Sequence, residues 1–202
     1  METHEIVTIL RQRLLPIDHI PGPVDLVEGY LPHARIAAVL LPLFEQDGQI
    51  FLAFIRRATT LRSHSGEIAF PGGSVDPDDT SIVMTALREA QEEIGLDPAR
   101  VEVLGLLSPV FTVVSNFLIT PVVAFLPQGL GELHLQASEV HELLLVPLQD
   151  LANPAIVHTE QWTRNNRTRL VYFYDYASYR IWGATGRMLN AFLETIADVS
   201  ME

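Results

Sequence analysis

The chain has 202 residues, 48% of them hydrophobic and 19% charged, with a formal net charge of −12. That length suits one sizeable domain with a full core and additions at its ends, and the acidity argues against a general nucleic-acid binder, which needs a basic footprint. Cysteine is absent, which excludes disulfides and thiolate zinc sites, and all thirteen basic residues are arginine, which excludes P-loop and Schiff-base lysine chemistry.

In chain order, Met1 to Glu5 lacks the basic start and apolar run of a secretory signal. No apolar run approaches the roughly 18 residues of a membrane span, so a cytoplasmic location with no membrane attachment is expected. Residues 3–15 read as a short amphipathic helix and 16–32 as a Pro/Gly-rich arm that walls a pocket or meets a second copy in a homodimer. Residues 1–32 thus form a helix and arm, and 33–202 form the domain. Arg35 to Phe44 reads as a strand, Asp47-Gly48 as a hairpin turn, and Gln49 to Arg56 as the returning strand. Glu67 to Phe70 reads as a short strand that runs into Pro71-Gly72-Gly73, followed by a helix from Ser81 to Ile94. Strands are expected at Val101 to Leu107, Thr120 to Leu126 and Val140 to Val146, with a short helix at Leu148 to Ala152. Arg169 to Tyr176 alternates as a strand, and Gly186 to Ala197 closes the chain as a helix. Strands with interspersed helices give an α/β fold with a mixed sheet.

The Ser81–Ile94 helix carries the chemistry. Glu89, Glu92 and Glu93 stand at i, i+3 and i+4 and share one face, while Val83, Leu87, Ala90 and Ile94 form the opposite apolar stripe. Grouped hard oxygens are what Mg²⁺ or Mn²⁺ needs, and Arg88, one turn from Glu92, orients a carboxylate without neutralising the group. A solvated outer face is the ordinary alternative for such acids. The glycine pair that precedes the helix favours the metal site, because backbone can approach a ligand closely there.

The stretch from Gly73 to Leu96 resembles the Nudix box, G-x5-E-x7-R-E-U-x-E-E-x-G-U, with U an aliphatic residue. Five residues separate Gly73 from Asp79, which stands where the pattern has Glu. Eight rather than seven separate Asp79 from Arg88, and Ala90 takes the aliphatic position. Asp79 is either the box acid or the cap of the helix. Upstream, Leu61-Arg62-Ser63-His64-Ser65-Gly66 leads to Phe70-Pro71-Gly72-Gly73 and resembles the second signature of coenzyme A pyrophosphatases. Ile55 and Ala58 depart from the Thr and Ser often found there, and Tyr179 to Thr185 is similar to another segment of that subfamily. The resemblance implies a Nudix-type α/β/α sandwich with a mixed sheet and a catalytic loop-helix. It implies metal ligands at Glu89, Glu92, Glu93 and the Gly72 carbonyl, with Gly73 in the substrate loop. It also implies hydrolysis of coenzyme A, or an acyl form of it, to 3′,5′-ADP and 4′-phosphopantetheine.

Bound metal would lower the pKa of the attacking water and steady the leaving phosphate. The resemblance makes Glu89 a candidate general base, with Glu139 or Glu142, just before Val146-Pro147-Leu148, as the later-loop alternative; Glu139 is retained and Glu142 reads as a surface acid. Arg56, Arg57 and Arg62 form a candidate anion patch for phosphate, although Arg56 and Arg57 also read as plain strand-end residues. Arg164, Arg167 and Arg169 read as a solvated loop, and His64 as a polar loop or substrate-contact residue rather than a metal ligand. Two alternatives differ in class. One is a Nudix hydrolase for an ADP-sugar, a dinucleoside polyphosphate or a nucleoside triphosphate. The other is a non-catalytic nucleotide-binding module, which has no need to keep Arg88, Glu89, Glu92 and Glu93 intact.

Overall fold

The computed structural model describes residues 2–19, 33–60, 64–164 and 167–197, so most of the arm, and Arg62 with it, lies outside the described residues. The elements run α1 (Thr3–Arg13), β1 (Arg35–Gln46), β2 (Gln49–Arg57), β3 (Ile68–Ala69), β4 (Gly72–Ser74), α2 (Ile82–Ile94), β5 (Glu102–Leu106), β6 (Val110–Thr112) and β7 (Phe117–Leu126). They continue with β8 (Val140–Pro147), α3 (Leu148–Leu151), β9 (Val157–Arg164), β10 (Arg167–Tyr176), β11 (Tyr179–Ile181) and α4 (Gly183–Ile196). No helix among the described residues is long and apolar enough to cross a membrane.

The main sheet is mixed, as expected. Its path is β3-β2-β1-β7-β5, with β4 on β1, β6 on β7 and β8 on β2. The central pair, β1 and β7, is parallel over ten residue pairs from Arg35/Phe117 to Phe44/Leu126. It is buried on both faces, which is why β1 has an unbroken run of eight buried residues rather than an alternation. Asp47 and Gly48 both have positive φ, 52° and 73°, which fits a two-residue hairpin turn whose twist matches its strands.

The β1–β2 hairpin then splays. β2 pairs with β1 only from Leu43/Leu52 to Gln46/Gln49, while the other end of β1 takes β4, with Ala38 opposite Gly73 and Val39 opposite Gly72. β3, on β2, and β4, on β1, therefore insert where the hairpin opens, and β4 carries the two glycines into the sheet. One face of the sheet is covered by α2, whose Ala86, Ala90 and Ile94 meet Ala38, Leu40, Ala53 and Ile55. The other is covered by α1 and α4, whose Ile6, Leu10, Leu189 and Phe192 pack with Val39, Leu41, Leu52 and Phe54. A second sheet, β11-β10-β9, joins the α4 side through the buried Tyr174 and Ile181.

Arg164, Arg167 and Arg169 are not in an irregular loop. Arg164 ends β9, and Arg167 and Arg169 open β10. Residues 158–163 are exposed throughout, so β9 has no buried face to impose an apolar alternation and its polar sequence hides the strand.

Candidate active site

Helix α2 has the terminators its sequence supplies. Ser81 is the N-cap and accepts from Met84 N–H, and Gly95 closes the helix in the left-handed region at φ 71°. Asp79 is therefore not the cap. Its carboxylate accepts from Arg88 Nε and Nη2 at 3.0 Å each, from the Thr85 hydroxyl at 2.9 Å and from Asp76 N–H at 2.9 Å. The Arg88 bonds hold its carboxyl far below the usual carboxylate range, and Asp79 in turn drives the guanidinium pKa upward. Arg88 reaches on to Glu89 Oε1 at 2.9 Å, Glu92 Oε2 at 3.2 Å and the Ser74 carbonyl at 3.1 Å.

The three box glutamates do not share one exposed face. Glu93 is buried, with its side chain 2% exposed, Glu89 is 15% exposed and Glu92 is 59% exposed. The 100° step per residue turns Glu89 and Glu93 toward β4 and leaves Glu92 at the rim. The buried line runs through Ala86, Ala90 and Ile94, with Val83 and Leu87 only partly covered. Among the described residues, no three histidines or carboxylates converge into a ready-made cation cage.

The glycines explain how the acids fit beneath the sheet. A Cβ on Gly72, at φ 156°, would stand 2.3 Å from the Ala38 carbonyl oxygen, and one on Gly73 would stand 2.5 Å from the Glu89 carboxylate. Leu40 N–H donates to Pro71 O and Val75 N–H to Ile36 O. By antiparallel alternation, the peptide groups of Gly73 then serve β1 and those of Gly72 face away from it. Gly72 N–H accordingly donates to Glu93 Oε2 at 2.8 Å, and its carbonyl opens on the same side.

The loop before β8 brings in Glu139. His134 N–H donates to Ile94 O, Gln136 N–H to Glu93 O, and Ala58 N–H to the Glu139 carbonyl, at 2.9, 2.9 and 2.7 Å. Its charge is felt at both Glu89 and Glu93. Burial is the main cause that raises the Glu89 carboxyl, with Glu92 and Glu139 adding to it against Arg88. Burial likewise pushes Glu93 up to about 7, against the Gly72 hydrogen bond and Arg57, with Glu89 and Glu139 adding.

The candidate arginine patch divides. Successive strand residues face opposite ways, so Arg57 lies on the α2 side, with Nη1 3.8 Å from Glu93 Oε1. Arg56 pairs across β8 with Glu142 at 3.0 Å, and Glu142 also accepts from the Tyr179 hydroxyl at 3.2 Å. Arg56, Glu142 and Tyr179 tie the two sheets together, which corrects the single-patch reading, while Arg62 lies outside the described residues. His64 meets Glu67 at 2.8 Å, in the loop as expected. The Asp79–Arg88 lock is the feature that spacing concealed. With Asp79 and Arg88 offsetting each other, four further carboxylates (Glu89, Glu92, Glu93, Glu139) stand here against one further guanidinium, Arg57.

A family model described as the NUDIX domain matches residues 33–166. A protein of Photorhabdus laumondii named as the uncharacterized Nudix hydrolase NudL is 41% identical over 162 residues, covering 80% of this chain and 85% of its own length. A protein of the same name from Salmonella paratyphi B is 36% identical over 180 residues, covering 87% and 92%. The crystal structure of a MutT/nudix family protein from Enterococcus faecalis superposes with a TM-score of 0.50 at 15% identity, covering 100% of this chain and 72% of that one, a likeness of fold. With the glycine cradle and the Arg88–Glu93 helix in place, the chain belongs to the Nudix family and is a Nudix pyrophosphohydrolase.

Proposed function

We propose that this pyrophosphohydrolase acts on coenzyme A, free or acylated, and releases 3′,5′-ADP and 4′-phosphopantetheine with Mg²⁺ or Mn²⁺ at the glycine cradle. The observation that carries the hydrolytic half is the surplus of buried carboxylate against Gly72 and Gly73. The substrate half rests on the Leu61-to-Gly73 signature and on an arginine, Arg57, at the inner wall of the cradle.

The residues fit a divalent cation. The donors are hard oxygens, Glu93 and Glu89 are raised by burial with like charges beside them, and a cation relieves that cost. Glu93, Glu89, Glu92 and the Gly72 carbonyl would hold it. When bound, such an ion lowers the pKa of a water molecule and neutralises phosphate charge. The chain itself does the positioning. Asp79 fixes Arg88, Arg88 fixes Glu89 and Glu92, and Gly72 N–H fixes Glu93. Glu89, raised by its surroundings, and Glu139, at the rim, are the carboxylates available to take a proton from water. Arg57 offers a guanidinium to a phosphate oxygen on the same face, and the signature adds Arg62. The cytoplasm is the expected place of action.

A panel of substrates tests the reading. Coenzyme A should give a higher kcat/KM than ADP-ribose, dinucleoside polyphosphates or nucleoside triphosphates, and a reversed order would reassign the substrate while leaving the hydrolase. A charge-assisted contact to the 3′-phosphate contributes about 1.5–3 kcal/mol, so dephospho-coenzyme A should be roughly ten- to a hundredfold poorer. Equal values for the two would remove the 3′-phosphate anchor. Gly73→Ala should push the Glu89 carboxylate aside and cost about a hundredfold in kcat. Unchanged turnover in that variant would mean that the placement of Glu89 does not matter.

A further inference from the structure

On the face of the main sheet opposite the glycine cradle lies a cavity of about 490 Å³. Its walls come from α1, the β1–β2 turn, α3, β10 and α4, and its lining is largely aliphatic, including Ile6, Leu148, Leu151 and Leu193. That volume lies within the range of small-molecule sites, roughly 300–1,000 Å³, which pair an apolar body with a few convergent polar groups.

Three polar groups, Tyr174, Asn190 and Glu194, run along one wall in a fixed direction. The Tyr174 hydroxyl donates to Asn190 Oδ1 at 3.3 Å, and Asn190 Nδ2 donates to Glu194 Oε1 at 2.8 Å. The relay ends at a carboxylate, which is the strongest acceptor of a lining that also holds the side-chain amides of Gln49, Gln149 and Asn190. Burial, followed by Tyr172 and then the charge of Glu194, pushes the Tyr174 phenol up to about 12 and keeps it a neutral donor. Glu194 is the one charged side chain among the described residues that line the cavity. Charge complementarity therefore favours a ligand that is positive.

We propose that this cavity is a second binding site, for a small molecule with an apolar body and an ammonium head, the head meeting Glu194 and the body filling the aliphatic floor. Because it lies across the sheet from Glu93, its occupant is distinct from the substrate of the cradle.

Tryptamine is a suitable probe, titrated by calorimetry into the full chain with saturating Mg²⁺, beside indole-3-propionate, which has a similar body and the opposite charge. Tryptamine should bind saturably and at least tenfold more tightly than the acid, a difference of about 1.4 kcal/mol. Glu194→Gln alters an exposed side chain and should abolish that preference, whereas Glu93→Gln should leave it intact. Leu193→Trp should fill the cavity and weaken both probes, with a thermal melt to check its fold. Absent saturable binding, equal affinity for the two probes, or a preference lost in Glu93→Gln instead of Glu194→Gln would overturn the proposal.

Discussion

Glu93→Gln is expected to lower turnover at least about a hundredfold while making the metal-free protein more stable above pH 7. The loss follows from removing the most buried anionic oxygen of the cradle, a change expected to exceed the 10–100-fold typical of groups that merely support a metal ligand. The gain follows from linkage. The Glu93 carboxyl sits at about 7 in the folded protein against an ordinary value of 4.5, chiefly because it is buried. The folded state therefore binds this proton more tightly than the unfolded state. Between pH 4.5 and 7 the metal-free protein loses stability as pH rises, and above pH 7 the full penalty, about 3 kcal/mol, is present. Gln keeps an oxygen for the Gly72 N–H and carries no charge. At pH 8 the variant should melt roughly 6–12 °C higher, and its melting temperature should change less than that of the wild type between pH 5 and 8. Melting curves across that range in a chelator, with steady-state rates in Mg²⁺, check both halves. A variant that is destabilised at pH 8, or that keeps near-normal turnover under limiting metal, would contradict them. Glu92→Gln, at the exposed rim, should cost less activity and leave the melting temperature nearly unchanged.

Asp79→Ala should cost more stability than Glu92→Gln and disable the site indirectly. The Asp79 carboxylate is 1% exposed and takes two of Arg88's N–H groups. Removing one member of such a pair typically costs 3–5 kcal/mol. Arg88 is partly solvated, so about 3 kcal/mol is expected, or roughly 6–12 °C in melting temperature for a chain of this size. Released from Asp79, Arg88 would turn its charge on Glu89 and Glu92 and reduce the negative surplus at the cradle. Turnover should fall at least tenfold and recover partly as metal concentration rises, since weakened metal affinity is the cause. The pH signature has the opposite sign to that of Glu93. The Asp79 carboxyl is depressed well below its ordinary 3.8, so its contribution is present above about pH 4 and lost progressively as pH falls below it. The variant and the wild type should therefore converge in stability toward low pH. A melting temperature within 2 °C of wild type at pH 7 would mean that the lock is not structural.

The mixed α/β fold was legible because its signals are local. The apolar run of β1 and the Asp47-Gly48 turn each act through a few adjacent residues, whereas the helix cap was read at Asp79 and lies at Ser81. The short strands β4, β6 and β11 were not legible, since three residues cannot express a period. Strand β9 was hidden because its residues 158–163 are exposed. At the site, the acidic residues and the glycine pair could be read from spacing, but their depth could not. That Glu93 is buried and Glu92 is not depends on where β4 crosses α2, a tertiary fact. The separation of Arg56 from Arg57 follows from strand alternation, yet which arginine meets the cradle depends on the sheet's packing. The bond from Arg88 to Asp79 runs from α2 back to a residue ahead of the helix and is invisible to helical periodicity.

The carboxylates at Gly72-Gly73 are proposed to support metal-dependent cleavage of the diphosphate in coenzyme A. Incubating the protein with coenzyme A and Mg²⁺ or Mn²⁺, and identifying the products by mass, tests it most directly. Wild-type protein should give equal amounts of 3′,5′-ADP and 4′-phosphopantetheine, with no products in excess chelator and about a hundredfold less in Glu93→Gln. Intact coenzyme A under conditions in which the same protein cleaves ADP-ribose would contradict the substrate, and products formed equally by Glu93→Gln would contradict the site.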